Sequence, residues 1–489
     1  MSTIHATAVG GFSSGEGDRW GHPRQLWMLM WVTVGLNFAF YGFRAYLAPY
    51  MATFFASLGA AEAQRQADLR SSGFLALMYA TPIIGGYVAD KILGESRALT
   101  ISLWLGVLSL GLMALPTLFG FEVGMALFAL AAGLGIPLTV LIGRNYANDD
   151  PRREGGYTLF YMAINLGAFI TPFVCADFVA QRYGDRWGFI AAATGMAFAA
   201  LVFQLRKYKL DPVLPKGDHL HGPMSSVWAL AVIALLVYPT VLLLSQPTIL
   251  SWAMYILMGL LVLYFVVKCA RRRDRVQTQR YLALLLLFIA LVVFWALSLQ
   301  GVTSLNFLAR DYVAAPFHYT DFQSANPLFI LLFAPLLAML WPWLARHGKD
   351  PSTPRKFGIG LLLVALSYGV LVLGIDAAGA GKLGWWVLAA CYLLQTLGEL
   401  ALSPIGYAMV PQLAAPEDAS LAMGGWFFGV ALSYQLSGWI ATQTVGSGAL
   451  TGMGAYAHVY RLLFAVGLAI AAIFLVAAPA IKRLMHGVR

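Results

Sequence analysis

Apolar residues run along this chain in blocks of roughly 20, the length a helix needs to cross the hydrocarbon core of a bilayer. Fourteen such blocks lie near 25–58, 71–91, 98–118, 121–143, 155–181, 188–206, 225–248, 250–270, 281–310, 324–346, 354–376, 384–411, 417–446 and 456–483. They are uniformly apolar and lack the period-2 alternation of barrel strands, so the pattern predicts an all-α membrane protein. Polar residues are confined to the connections. The most conspicuous is KYKLDPVLPKGDHLHGPM, from Lys207 to Met224, which interrupts the series after the sixth block. The predicted organisation is a tail at 1–24, a six-helix bundle at 25–206 and a linker at 207–224. An extra two-helix hairpin follows at 225–270, then a second six-helix bundle at 271–483 and a tail at 484–489.

Composition agrees: 60% of the 489 residues are hydrophobic and 11% charged, against roughly 25% charged in soluble domains. The net charge of +10 does not point to nucleic acid, because Lys and Arg cluster in short connections rather than along one face. Arg144, Arg152, Arg153, Arg206, Lys207, Lys209, Lys216, the run Arg271–Arg275, Arg346, Lys349, Arg355 and Lys356 all mark the same side. The positive-inside rule then places both termini in the cytoplasm and the chain in the cytoplasmic membrane, with lipid as its constant partner. Cys175, Cys269 and Cys391 form neither a metal spacing nor a disulfide framework. No nucleophile–base pair or phosphate loop appears either, so neither an enzyme, a metal nor a cofactor is expected. Nothing implies an obligatory protein partner.

Two charges lie deep inside apolar runs. Glu399 sits in YLLQTLGELALSPIG and Arg44 in LNFAFYGFRAYLAPYM. A charge at membrane depth costs about 2.5–3.5 kcal/mol on insertion scales, so such residues mark pathways or binding sites. One acid and one base in an otherwise uncharged core suggest a pocket for a ligand that carries both charges.

Several motifs give that pocket a context. GGYVADKILGESR, from Gly85 to Arg97, resembles the loop motif of the major facilitator superfamily. DPRREGGYTLFYMAINLGAFITP, from Asp150 to Pro172, resembles the signature of the proton-dependent oligopeptide transporter family, with its FYxxINxG core. FYGFRA (Phe40–Ala45), SLNF (Ser304–Phe307), FQSANPLFI (Phe322–Ile330), GELALSPIG (Gly398–Gly406) and MGGWFFG (Met423–Gly429) follow in family order. The resemblance implies a major facilitator fold of 14 transmembrane helices, import of di- and tripeptides by alternating access, and protons as the coupling ion. It also implies residue roles. Glu399 would hold the peptide amino terminus, with Ser403 one turn beyond. Arg44, Tyr41 and Tyr79 would line the pocket, Asn165 and Asn326 would read the peptide backbone, Gln300 would add a polar contact, and Trp426 would wall a side-chain pocket. Asp311 would meet Arg44 in an outer gate.

The chain departs from the family in one respect. Where the first helix normally carries Glu-x-x-Glu-Arg, the matching positions here are Thr33, Leu36 and Asn37, and Leu138 stands where the fourth helix usually offers a lysine. Glu399 is then the remaining candidate for carrying a proton. An uncoupled facilitator or exchanger, or a peptide sensor that does not transport, are the alternative readings.

Overall fold

A computed structural model describes residues 18–147, 150, 152–210, 214, 222–271, 274–446 and 451–488. Most of the linker, with Lys216, and also Arg272 and Arg273 lie outside the described residues.

The helices follow the apolar blocks, and glycine and proline set the breaks. α1 (Arg24–Arg44) is followed by the short α2 (Leu47–Thr53). Gly59, at φ +87°, turns the chain into α3 (Ala60–Ala80). Pro82 lacks an N–H and separates α3 from α4 (Pro82–Val88), after which a π-helical turn spans Ala89–Leu93. α5 (Glu95–Met113) leads to α6 (Leu118–Gly133), whose first turn is capped by Thr117 accepting from the Gly120 N–H at 3.2 Å. The run GLGIP divides α6 from α7 (Pro137–Arg144), with Pro137 at the first helical position. α8 (Arg152–Thr171) continues through a π-helical stretch, Pro172–Ala180, into α9 (Gln181–Tyr183), and α10 (Asp185–Arg206) closes the first bundle.

α11 (Pro223–Ser245) and α12 (Pro247–Arg271) form the hairpin. α13 (Arg275–Ser298), capped by Asp274, passes through a 3₁₀ turn at Leu299–Val302 into α14 (Ser304–Tyr312). A second 3₁₀ turn, Tyr319–Ser324, enters α15 (Ala325–Arg346). α16 (Thr353–Ala378), α17 (Trp385–Leu413), α18 (Ala419–Gln443) and α19 (Met453–Leu484) complete the second bundle. Thirteen segments among the described residues are long and apolar enough to cross a bilayer. α18, at 25 residues, supplies the fourteenth. It is less apolar because it carries Ser433, Gln435 and Ser437, all buried inside the protein.

Within the first bundle α1 packs on α8 and α10, and α5 on α6. Within the second, α16 packs on α17 and α19. Small residues set the closest approaches. A Cβ on Gly85 of α4 would stand 2.2 Å from the Gly133 backbone of α6, so the glycines of the GGYVAD motif let two helix backbones touch. At the end of the same motif Glu95 is buried and held by Arg144 through Nε (2.9 Å) and Nη2 (2.5 Å).

The hairpin is tied to both bundles. Ser245 donates to Glu122 of α6 at 3.0 Å, and Gln435 of α18 donates to Ser251 at 2.6 Å. At its other end Tyr264 (2.7 Å) and Lys268 (3.2 Å) donate to Asp418, as does Tyr281 of α13 (2.5 Å). Burial alone would raise the Asp418 carboxyl, but donation from Tyr281, Tyr264 and Lys268 holds it below the ordinary carboxylate range.

The two bundles meet where α3 packs on α18 and where α8 meets α15. Among the described residues, hydrogen bonds of good geometry join them at three places near one end. Asn306 Nδ2 donates to the Ala45 carbonyl at 3.0 Å, Ser324 Oγ to the Phe169 carbonyl at 2.8 Å, and Gln64 Nε2 to Tyr456 Oη at 3.0 Å. All three lie at the helix ends remote from the basic connections. The bundles are therefore sealed together at that end.

Candidate functional site

Beneath this seal lies a cavity of about 60 Å³. Arg44 and Glu399 both line it. The first bundle contributes only Arg44 and Tyr41. The second contributes Trp295 and Ser298 from α13, Leu299, Gly301 and Val302 from the 3₁₀ turn, Gln323, Asn326 and Pro327 around the start of α15, and Tyr392, Gln395 and Glu399 from α17. The isolated cation and the isolated anion expected from the sequence thus share one chamber, supplied from opposite bundles.

Each charge is held differently. Glu399 Oε2 accepts from Asn326 Nδ2 at 2.9 Å, and the same amide donates to Thr396 Oγ1 at 3.0 Å, which fixes its orientation. Arg44 lies over the Tyr41 ring at 5.1 Å and the Phe40 ring at 5.8 Å, while its buried Nε has no hydrogen-bond partner. Both side chains are half-buried. A bound carboxylate at Arg44 would give that Nε–H its acceptor in the fork geometry a guanidinium favours. The wall between them is rich in amides and hydroxyls. Gln323 Nε2 (2.7 Å) and Tyr392 Oη (3.1 Å) both donate to the Gly301 carbonyl, pinning the 3₁₀ turn that ends α13.

The other residues singled out in the sequence are placed elsewhere. Tyr79 is half-buried and its ring lies 5.2 Å from that of Tyr434, within electrostatic reach of Arg44 but off the cavity lining. Asn165 is buried and donates back to the Tyr161 carbonyl of its own helix at 2.9 Å. Gln300 is fully buried in a network between α13 and α18. It donates to Ser437 Oγ (3.0 Å) and the Ser437 carbonyl (3.1 Å), and accepts from Ser304 Oγ (2.7 Å). The 3₁₀ turn rotates Gln300 away from the chamber and presents Leu299, Gly301 and Val302 instead. Trp426 is also fully buried, packed against Gly406 and lying 6.2 Å from the rings of Phe288 and Phe357. The Ser403 side chain lies outside the described residues. The expected Arg44–Asp311 pair is not formed. Asp311 instead accepts from its neighbour Arg310 through Nε (2.7 Å) and Nη2 (2.9 Å), and the seal near Arg44 is the Asn306–Ala45 bond.

Gln323, Tyr392, Gln395, Trp295 and Ser298 line the chamber without having been expected there. A signal existed for two of them. Tyr392, Gln395 and Glu399 are spaced 3 and 4 apart, which puts them on one face of α17. Gln323 comes from an irregular segment, where spacing carries no such information.

A second cavity, of about 250 Å³, lies within the first bundle. Its lining includes Leu36, Asn37 and Leu138, three of the positions where charged residues were expected by resemblance, together with Phe40, Met78, Phe160 and Ile164. Thr33 is buried nearby and donates to the Leu29 carbonyl at 2.8 Å, and Asn37 Nδ2 donates to the Thr33 carbonyl at 2.8 Å. The neutral replacements are thus satisfied by their own helix and face an apolar space.

Comparison with known proteins places this architecture. A family model described as the POT family matches residues 98–459. An uncharacterised transporter, YclF, of Bacillus subtilis (strain 168) is 31% identical over 492 residues, covering 96% of both chains. The peptide transporter YePEPT of Yersinia enterocolitica is 33% identical over 454 residues, covering 86% of this chain and 88% of its own. Among solved structures, a mutant of a peptide transporter POT in complex with alafosfalin superposes with a TM-score of 0.83 at 31% identity, over 96% of this chain and 97% of the other. A POT family transporter in complex with 5-aminolevulinic acid gives 0.81 at 29% identity, over 95% and 98%. The chain, with two six-helix bundles, an intervening hairpin and a chamber where they meet, belongs to the POT family of major facilitator transporters.

Proposed function

We propose that this protein imports di- and tripeptides across the cytoplasmic membrane by alternating access, coupled to protons through Glu399. The observation that carries the reading is the shared chamber of Arg44 and Glu399. A short peptide is a zwitterion with amides between its charged ends. Its ammonium group fits the Glu399 carboxylate and its carboxylate the Arg44 guanidinium, while the amide of Asn326 and the hydroxyl of Tyr41 bind what lies between. Relatives described as peptide transporters, and the alafosfalin and 5-aminolevulinic acid complexes, support the same ligand chemistry. In this reading both termini are cytoplasmic, so the seal is on the outer side and the protein faces inward. Tyr79, Asn165 and Ser403 belong to the same site at other stages of the cycle. Gln300 and Trp426 hold the surrounding helices.

Proton and peptide amine compete for one carboxylate. A protonated Glu399 has no charge to offer the ammonium group, so binding and release of the peptide follow its titration. One observation favours a second reading, an uncoupled exchanger with the same pocket: the first-helix charges are absent and an apolar cavity takes their place.

Reconstituted protein given an inward proton gradient is expected to accumulate labelled dialanine above equilibrium, and a protonophore should abolish the accumulation. Glu399→Gln should lose it entirely. Equilibration without accumulation would select the exchanger, binding without flux would select a sensor, and accumulation by Glu399→Gln would remove Glu399 from the coupling role.

A further inference from the structure

Asp68 is a buried acid that neither the chamber nor the motifs account for. It lies on α3 one turn after Gln64, the residue that donates to Tyr456 across the seal. Its side chain is fully buried, and neither carboxylate oxygen makes a hydrogen bond of good geometry; the one side-chain donor that bears on it is the Gln64 amide, which is spent on Tyr456. The backbones are tight at this level. A Cβ on Gly438 of α18 would stand 3.0 Å from the Asp68 carbonyl and 2.5 Å from Ser72 Oγ.

The charged and titratable groups around it offer no partner. Arg310 of α14 is within electrostatic reach, but its guanidinium is bound to Asp311. Tyr456 of α19 accepts from Gln64. α18 contains no Asp, Glu, Lys or Arg, and its Tyr434 stacks at the level of Tyr79. On α6, Glu122 is bound by Arg70 of α3. On α2, Tyr50 packs among Phe54, Phe121 and Phe189. α12 presents Leu250 to α3, and the nearby end of α11 presents Ser245, which is bound to Glu122. Arg65 and Glu62 pair with each other on the exposed side of α3.

A carboxylate with no cation and no well-formed hydrogen bond, shut away from water, is out of balance by several kcal/mol and takes up a proton instead. We propose that Asp68 is a proton-binding site of the outer seal, neutral while α3 is closed against α18 and α19, and ionised once the bundles part there. The closed seal then holds one more proton than the open one. Lowering the pH therefore favours closure and raising it favours opening, by at most about tenfold per pH unit. Asp68 does not line the chamber, so its proton enters and leaves on the same side. It sets the pH dependence of closing without carrying charge across, which separates its role from that of Glu399. This kinetic consequence rests on the peptide-transport reading; the proton site itself does not.

Infrared spectra of reconstituted wild type and Asp68→Asn at neutral pH test the site without any peptide. Wild type should show a protonated-carboxyl stretch that Asp68→Asn lacks, and identical spectra overturn the proposal. If Asp68→Asn fails to fold, a pH titration of the same band in Glu399→Gln, which retains Asp68, decides the matter: the band persists at neutral pH or the site is refuted. Exchange of labelled dialanine with only the outer pH varied then tests the latch. The wild-type rate should change with outer pH, whereas Asp68→Asn should be flat yet still accumulate dialanine under a proton gradient. A wild-type pH profile in Asp68→Asn overturns the latch. Absence of exchange in wild type overturns the peptide reading and leaves the infrared result standing.

Discussion

The two walls of the chamber are built on different chemistry. The second bundle presents Glu399 braced by Asn326 and Thr396, with Gln323, Gln395 and Tyr392 beside it. The first presents Arg44 and Tyr41. One to two turns back along α1 its lining becomes apolar, where Phe40 and Leu36 open onto the second cavity. Arg44 touches Phe40, so the boundary between charged and uncharged surroundings is one helical turn wide. The lesson is that charged and neutral surroundings occupy adjoining parts of the same wall. Two opposite charges persist in one cavity, while the adjoining cavity is lined by neutral side chains whose Asn37 amide is satisfied within its own helix.

That contrast can be broken at Leu138. Leu138→Lys places an unpaired ammonium in the apolar cavity and should destabilise the protein by about 3–5 kcal/mol, read as a fall in melting temperature in detergent. Adding Leu36→Glu, on the same cavity, should recover most of the loss. A single mutant as stable as wild type would mean that the cavity admits water. The polar wall is sharpened by Asn326→Leu. Loss of one hydrogen bond to a carboxylate costs about 1.5–3 kcal/mol, so dialanine affinity should fall roughly 10- to 100-fold. Calorimetry on purified protein would measure it. Asn37→Leu should have the smallest effect. Asn37 donates only to its own helix, so stability should change by less than about 1 kcal/mol and uptake should be unaltered. A large transport defect there would show that the neutral cavity still serves coupling.

Much of this was legible in the sequence, for definite reasons. Helix count and order followed from apolar block length, and Arg44 and Glu399 stood out because a charge at membrane depth must be accommodated. Asn326 followed from its motif. What could not be read was rotation and reach. Gln300 sits in a 3₁₀ turn that swings it out of the chamber, a local change in pitch that spacing does not reveal. Asp311 was expected opposite Arg44, yet an arginine one residue away in sequence satisfies it first. Asp68 was hidden for a different reason. The stretch AEAQRQADLR is too polar for an apolar block, so the second span was expected to begin at 71, whereas α3 begins at Ala60 and tertiary packing buries the acid.

The seal between the bundles has a property that follows from its composition. Asn306, Ser324 and Gln64 all donate to uncharged oxygens, each bond being worth about 0.5–1.5 kcal/mol net. A closure made of a few such contacts is shallow enough for thermal motion to undo on a working timescale. Because no ion pair spans it among the described residues, added electrolyte has little to screen. Turnover limited by this closure should therefore be nearly indifferent to ionic strength.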